Sequence, residues 1–366
     1  MKIAIFHNFM DNIGGAEIVV LTLARELHAD IYTTNFDPAK IKIMGFADVI
    51  PRVTSIGKVP LNAPLRQQLA LYYFRKLDLK QKYAYYIIAG DWAISGAVNN
   101  KPNLWYSHSP VRELFDLYPH IRKTFLHNIV SRINYDIWVY YNRFLYRRYV
   151  KHAEQIACNS KNVQGRIKKF LKRDAVVINP PIETQKYYYG KSKGYYLAVN
   201  RLYYHKRIDM QLDAFRQLKD ERLIIVGCYE KAAHFEAYAK HIISSKPKNV
   251  KILGWVSDKK IKELYAHCKG FITTAQDEDF GMTPVEAMAS GKPVIAANEG
   301  GYKETVINGK TGILIDDIDD EKLVAAIKKM NAQLEKNPYT YRDACMRRAK
   351  EFDTKVFMKK IRDILK

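Results

Sequence analysis

Apolar residues along this chain fall into short runs rich in β-branched and aromatic side chains. Between these runs lie stretches in which apolar positions recur every three or four residues. Residues 3–6, 30–34, 85–89, 103–106, 153–159 and 175–178 read as buried strands. Residues 18–27 and 161–171 read as helices, the second capped by Ser160. Asn179-Pro180-Pro181 then breaks the pattern. It restarts with strands at 195–199, 223–226, 251–253, 271–275 and 294–297, followed by helices at 322–330, 340–352 and 355–365. Strands alternating with helices predict doubly wound parallel sheets. The break divides the chain into a first domain at 1–179 and a second at 180–345, with a terminal segment at 346–366.

A chain of 366 residues is long enough for two separate cores. No apolar run reaches the roughly eighteen residues that span a bilayer. The apolar start of the chain is too short for a signal peptide and reads as the first strand. Cys158, Cys228, Cys268 and Cys345 lie far apart, which excludes a zinc or disulfide framework and suits a reducing cytoplasm. A formal charge of +22 and 26 tyrosines call for an anionic partner: a phosphorylated substrate, an acidic membrane surface or nucleic acid. No zinc spacing, RNP-like strand or basic helix-turn-helix supports nucleic acid.

Residues 112–151 hold eight Lys or Arg, three acids and ten aromatics. Ile133, Ile137, Tyr141 and Phe144 recur at spacings of three and four and predict a helix with a core face. The surrounding charge reads either as a solvated face or as a membrane-surface helix with cations at lipid phosphates. Residues 65–76 carry a similar mixture.

The chemistry concentrates at 276–296, a loop feeding a helix that feeds a strand. Thr283 suits the N-cap, Pro284 the first turn and Glu286 a capping box. Such a helix start, at the carboxyl edge of parallel strands, favours phosphate. Gly14-Gly15 opens the first helix after the first strand, with Glu17 as a helix-start charge. His108 follows a strand and precedes Pro110, a place more often structural than catalytic. Arg201 and Lys206 follow the strand at 195–199 and suit a diphosphate. Asp277-Glu278-Asp279 has the look of an Asp-x-Asp metal motif, and 316–320 that of helix-start charge. There is no complete G-x-G-x-x-G, so no nicotinamide or flavin site is indicated.

Glu278 and Glu286 at an E-x7-E spacing, Phe280-Gly281 between them and the Glu-Ala-x-Ala-x-Gly-x-Pro-Val-Ile-Ala run from Glu286 resemble the sugar-nucleotide site of family 4 retaining glycosyltransferases. The resemblance implies the GT-B fold, two Rossmann-like domains facing an interdomain cleft, with the terminal segment bracing the first domain. It implies Glu278 at the donor sugar, Glu286 on the ribose, and the backbone of Gly281, Met282 and Thr283 at the diphosphate with Arg201 and Lys206, with Phe280 also in the donor site. It also implies that Gly14, Gly15, Gly227 and Val256 line the nucleotide and that His108 faces the transferred sugar. In the mechanism usually proposed for the family the leaving phosphate takes the acceptor proton, and no metal or other cofactor is needed. The His108-to-Arg112 run is similar to mannosyltransferases and implies GDP-mannose as donor. The basic aromatic region points to a lipid-linked or glycan acceptor on an anionic membrane surface, and to a peripheral cytoplasmic protein. A sugar-nucleotide isomerase on the same fold is the nearer alternative, a nucleic-acid-binding protein the farther.

Overall fold

The computed structural model describes residues 1–61, 65–80, 82–124, 126, 128–227 and 233–366. Cys228 lies outside the described residues. The chain divides into two compact units, one of residues 1–179 with 358–366 and one of residues 180–357. Residues 346–357, placed from sequence in the returning segment, lie in the second unit.

In the first unit the apolar runs form seven parallel strands, β1 (Ile3–Phe6), β2 (Asp30–Thr33), β3 (Val53–Ser55), β4 (Tyr85–Ile88), β5 (Asn103–Ser107), β6 (Gln155–Cys158) and β7 (Val176–Val177). Their order is β3-β2-β1-β4-β5-β6-β7. β1 is buried along its whole length, as a central parallel strand covered on both faces must be. Its Ile3–Phe6 register runs against Tyr85–Ile88 on one side, and Ala4–Phe6 against Asp30–Tyr32 on the other. β3 was not expected from sequence. It is an edge strand whose three residues keep solvent contact, so it carries no apolar run.

The second unit repeats the arrangement with β8 (Tyr196–Val199), β9 (Leu223–Val226), β10 (Val250–Leu253), β11 (Gly270–Thr273), β12 (Val294–Ala297) and β13 (Gly312–Ile315). The order is β10-β9-β8-β11-β12-β13, all parallel. In each sheet the order reverses once, between β1 and β4 and between β8 and β11. Connections leave in opposite directions at these points and open a crevice at the carboxyl ends of the strands.

One expectation reverses. The helix Ile129–Val150 forms, with Asn128 capping Ser131 N at 2.7 Å. Yet Ile133, Ile137, Tyr141 and Phe144 are 49–63% exposed and do not face the core. The inward face is Val139, Asn142, Tyr146 and Val150. Tyr146 meets Trp105 and Phe115 with ring centroids 6.0 and 6.1 Å away, and Trp138 meets Trp92 at 6.4 Å. This helix carries two apolar stripes. Spacing finds both, and only the partner surfaces decide which is buried.

Candidate functional site

A dense polar constellation among the described residues of the second unit stands at its strand-order reversal. β11 ends in Thr273 and is followed by Thr274, and their short hydroxyls anchor the neighbouring elements. Thr274 Oγ1 donates to Lys206 O at 2.7 Å and accepts from Gln211 Nε2 at 2.8 Å. Gln276 N donates to His205 O at 2.8 Å. The loop after β8 is thereby tied to the loop after β11. Lys206 Nζ meets Glu278 Oε2 at 2.5 Å, both side chains largely buried. The residues expected to hold the diphosphate and the donor sugar thus pair with each other.

Around this pair the structure adds groups that sequence reasoning did not assign. Arg207, in the left-handed region at φ 49°, forms a two-pronged bond to Glu299, at 2.8 and 3.3 Å. Glu299 Oε2 also accepts from Asp277 N at 3.1 Å. Gly301 N donates to Glu278 O at 2.8 Å, and Tyr302 OH reaches Glu278 Oε2 at 3.4 Å and Thr273 Oγ1 at 2.5 Å. The Asp277–Phe280 loop is therefore held from below by the turn after β12. These partners lie tens of residues away in sequence, and no local signal marks them.

The helix Met282–Ala289 starts differently from expectation. Its N-cap is Gly281 at φ 89°, with no side-chain cap, and Thr283 is its second residue. Only glycine takes that left-handed turn without cost, which moves the start forward and leaves the Thr283 cap unused. Glu286 is likewise no capping-box residue. Its Oε2 accepts from Tyr265 OH at 2.7 Å, and the nearby Tyr187 hydroxyl also favours its ionised form. Burial raises its pKa, the two hydroxyls and Lys262 pulling against that rise. One edge of the residue keeps contact with solvent.

Of the other expected groups, Gly227 sits at φ 147° with a missing Cβ that would fall 1.8 Å from Asn200 O. It lets the ends of β8 and β9 touch. Arg201 is partly buried after β8, 6.0 Å from the Tyr203 ring centroid. The Phe280 side chain is 2% exposed and packs on Phe352, so only its backbone can face a ligand. Val256 follows edge strand β10 and packs against the core, away from the reversal.

In the first unit, Gly14 and Gly15 open the helix Gly15–Leu27, as expected. Gly14 is extended, a conformation open to any residue. Glu17 lies in the first turn of that helix, as expected, but inside the unit. It is 8% exposed and faces buried His7, 3.9 Å away. His108 follows β5, its carbonyl bonded by Asn159 Nδ2 at 2.7 Å and its ring edge-on to Tyr106 at 5.4 Å. Burial, and secondarily His7, lowers its pKa to about 3. His7 was not singled out from sequence, since nothing local distinguishes it.

The His108 shift has a measurable consequence. Unfolding returns the imidazole to an ordinary value of 6.5, so between that pH and about 3 the unfolded chain binds the extra proton. Stability from this group is full above pH 6.5 and is lost as pH falls, by up to about 1.4 kcal/mol per unit. Urea unfolding at pH 7 and pH 4.5 should show His108→Gln less acid-sensitive than the parent by about 2 kcal/mol. Identical pH dependence in the two proteins would refute a neutral His108.

Comparison with known proteins places these features. Residues 13–186 match the Glycosyltransferase Family 4 domain and residues 182–351 the Glycosyl transferases group 1 domain. The chain is 27% identical over 177 residues, 48% of each chain, to the uncharacterized glycosyltransferase MJ1178 of Methanocaldococcus jannaschii. It thus spans about half the length of that relative. It is 27% identical over 377 residues, 86% of each chain, to the alpha-1,3/1,6-mannosyltransferase ALG2 of Dictyostelium discoideum. Among solved structures, Anabaena Alr3699/HepE in complex with UDP-glucose is similar with a TM-score of 0.77 at 20% identity, covering 100% of this chain and 99% of that one.

Proposed function

Because this chain belongs to the glycosyltransferases, a Family 4 half followed by a group 1 half on the GT-B fold, we propose that it moves a hexose from a nucleoside diphosphate sugar to a hydroxyl acceptor with retention. The carrying observation is the Lys206–Glu278 pair at the strand reversal, beside the start of the Met282–Ala289 helix. In this reading the diphosphate takes over the Lys206 ammonium and meets the NH groups of Met282 and Thr283, with Arg201 adding a second cation. Glu286, steadied by Tyr265 and Tyr187, accepts from the ribose hydroxyls. Glu278, released from Lys206, accepts from the hexose hydroxyls.

The bond from the anomeric carbon to the diphosphate oxygen breaks, and the acceptor oxygen bonds that carbon on the same face. The acceptor proton passes to the departing phosphate, so no protein base is required. Charge growing on the diphosphate meets Lys206 and Arg201, which take the part a metal ion plays elsewhere. Mannose is supported by the similarity to the Dictyostelium mannosyltransferase; GDP as its carrier rests on the sequence resemblance alone. A lipid-linked acceptor at a membrane surface is supported by the outward apolar stripe of Ile129–Val150.

The test is transfer in EDTA from a panel of nucleoside diphosphate hexoses to a lipid-linked oligosaccharide, with the product anomer read by NMR. Expected is a mannosylated product from GDP-mannose with the donor's anomeric configuration. An inverted product, or activity that EDTA abolishes, overturns the mechanism. Conversion of the donor to a different sugar nucleotide without acceptor would identify an isomerase instead.

A further inference from the structure

The outward face of the helix Ile129–Val150 is more ordered than a scatter of exposed side chains. At about 100° per residue, Ile129, Val130, Ile133, Ile137, Tyr140, Tyr141 and Phe144 fall within an arc of about 120°. All seven are exposed, from 49% at Ile133 to 66% at Tyr140. The same arc continues into Arg147, Arg148 and Lys151, also exposed. It contains no acid and no small polar residue.

The only acid of this helix, Asp136, lies outside the arc and is bonded by Arg122 Nε at 2.9 Å and Tyr118 OH at 2.8 Å. At the carboxyl end a cavity of about 430 Å³ is lined by Tyr140, Arg143, Phe144, Arg147, Arg148 and Lys151. The Nε atoms of Arg143 and Arg147 donate to the carbonyls of Leu114 and Phe170, which fixes two of the four cations in place. Arg143 also lies over the Tyr118 ring, 4.7 Å from its centroid.

We propose that this face is the surface by which the protein lies on an anionic bilayer. The aliphatic residues and Phe144 enter the acyl boundary, and Tyr140 and Tyr141 lie at headgroup level. The cavity ringed by Arg143, Arg147, Arg148 and Lys151 takes a lipid phosphate. The inference rests on the reading that the acceptor is lipid-linked, and it names the surface that would deliver the enzyme to it.

Charge decides the occupant. A lipid surface offers hydrocarbon beside phosphate, which is the pairing this arc presents. A second copy does not: antiparallel, it would lay Arg147, Arg148 and Lys151 on the partner's Ile129–Ile133 end, and parallel, cation against cation. Residues 65–76 make a poorer patch. Their Arg66 is committed to Asp11 at 2.6 and 2.7 Å and to the Phe9 ring, while Ala70, Leu71 and Phe74 are buried. No helix among the described residues is long and apolar enough to cross a membrane.

The test is co-sedimentation with vesicles of phosphatidylcholine alone and of phosphatidylcholine mixed with phosphatidylglycerol. The parent protein is compared with Ile133→Glu/Ile137→Glu and with Arg147→Ala/Arg148→Ala/Lys151→Ala. The parent should bind the anionic vesicles and be released by salt. The cation variant should bind about fivefold more weakly for each charge removed. The double Glu variant should lose binding more than tenfold.

Donor-induced thermal shift and transfer to a detergent-dispersed acceptor should stay at the parent level in both variants, which separates a lost dock from a misfolded chain. No parent binding to anionic vesicles, or unchanged binding by both variants, overturns the proposal. So does a change of molecular mass by light scattering with vesicle binding intact, which would make the face an interface between copies. Vesicle binding that follows this face without transfer to any lipid-linked acceptor keeps the dock and overturns the acceptor reading instead.

Discussion

Lys206→Ala is expected to lower kcat for glycosyl transfer by about 10²–10³-fold, the usual loss when one donor aimed at a growing anion is removed from a preorganised site. The expectation follows from how the ammonium is held. Lys206 comes from a loop tied to β11 through Thr274, and its Nζ stands 2.5 Å from Glu278. Free enzyme therefore stores this cation against a carboxylate, and in the proposed reaction a diphosphate competes with that carboxylate for it.

Two results follow from the storage. The loss in Lys206→Ala should fall on kcat more than on KM, because the cation matters most when the bond to phosphate breaks. Glu278→Gln should bind nucleoside diphosphate more tightly than the parent while transferring sugar more slowly, since it frees the cation and loses the hexose contact. Steady-state kinetics and titration calorimetry read both. Thermal unfolding of Lys206→Ala should fall below the parent, because the change leaves a largely buried carboxylate without its partner. A Lys206→Ala enzyme within threefold of the parent kcat would remove Lys206 from the chemistry.

Gly301→Ala should be almost as damaging without touching a charged group. A Cβ there would lie 2.4 Å from Phe280 Cα and 2.6 Å from Phe280 O. Backbone, unlike a side chain, has no other rotamer to adopt, so the Asp277–Phe280 loop has to move. Overpacking of this kind costs about 1–3 kcal/mol. In a unit of this size that is a fall in Tm of about 3–10 °C. A displacement near 1 Å at Glu278 is worth about 10²-fold in rate.

Gly165→Ala is the matching control. Its Cβ would meet nothing within 4 Å in the exposed middle of the helix Lys161–Leu171. That change should leave activity intact and raise stability slightly. Full activity in Gly301→Ala would show that the loop accommodates the methyl group and that its position is not critical.

How much of this was legible beforehand varied with the range of the interactions. Lys161–Leu171 was read to the residue, because Ser160 and the apolar spacing are local signals. β9 and β12 were read equally well as short apolar runs between turn residues. The E-x7-E frame located the region around Glu278, but the contact with Lys206, 72 positions away, is tertiary and was not read; the resemblance put both residues at the donor without pairing them. Glu299, Tyr302 and Tyr265 were missed for the same reason. Gly281 was read as a ligand neighbour and not as the helix cap, since its left-handed φ depends on the turn it closes. On Ile129–Val150, periodicity could not choose between two apolar stripes.

The return of residues 358–366 to the unit that begins at Met1 bears on the order of events during synthesis. When Asn179 leaves the ribosome, the first unit has all its strands but not its closing segment. The whole second unit must be translated before that segment emerges, on the order of ten to forty seconds later. A nascent chain therefore carries an unfinished amino-terminal body through that interval, while the later-made body already has every residue it needs. The half that starts first is the half that finishes last.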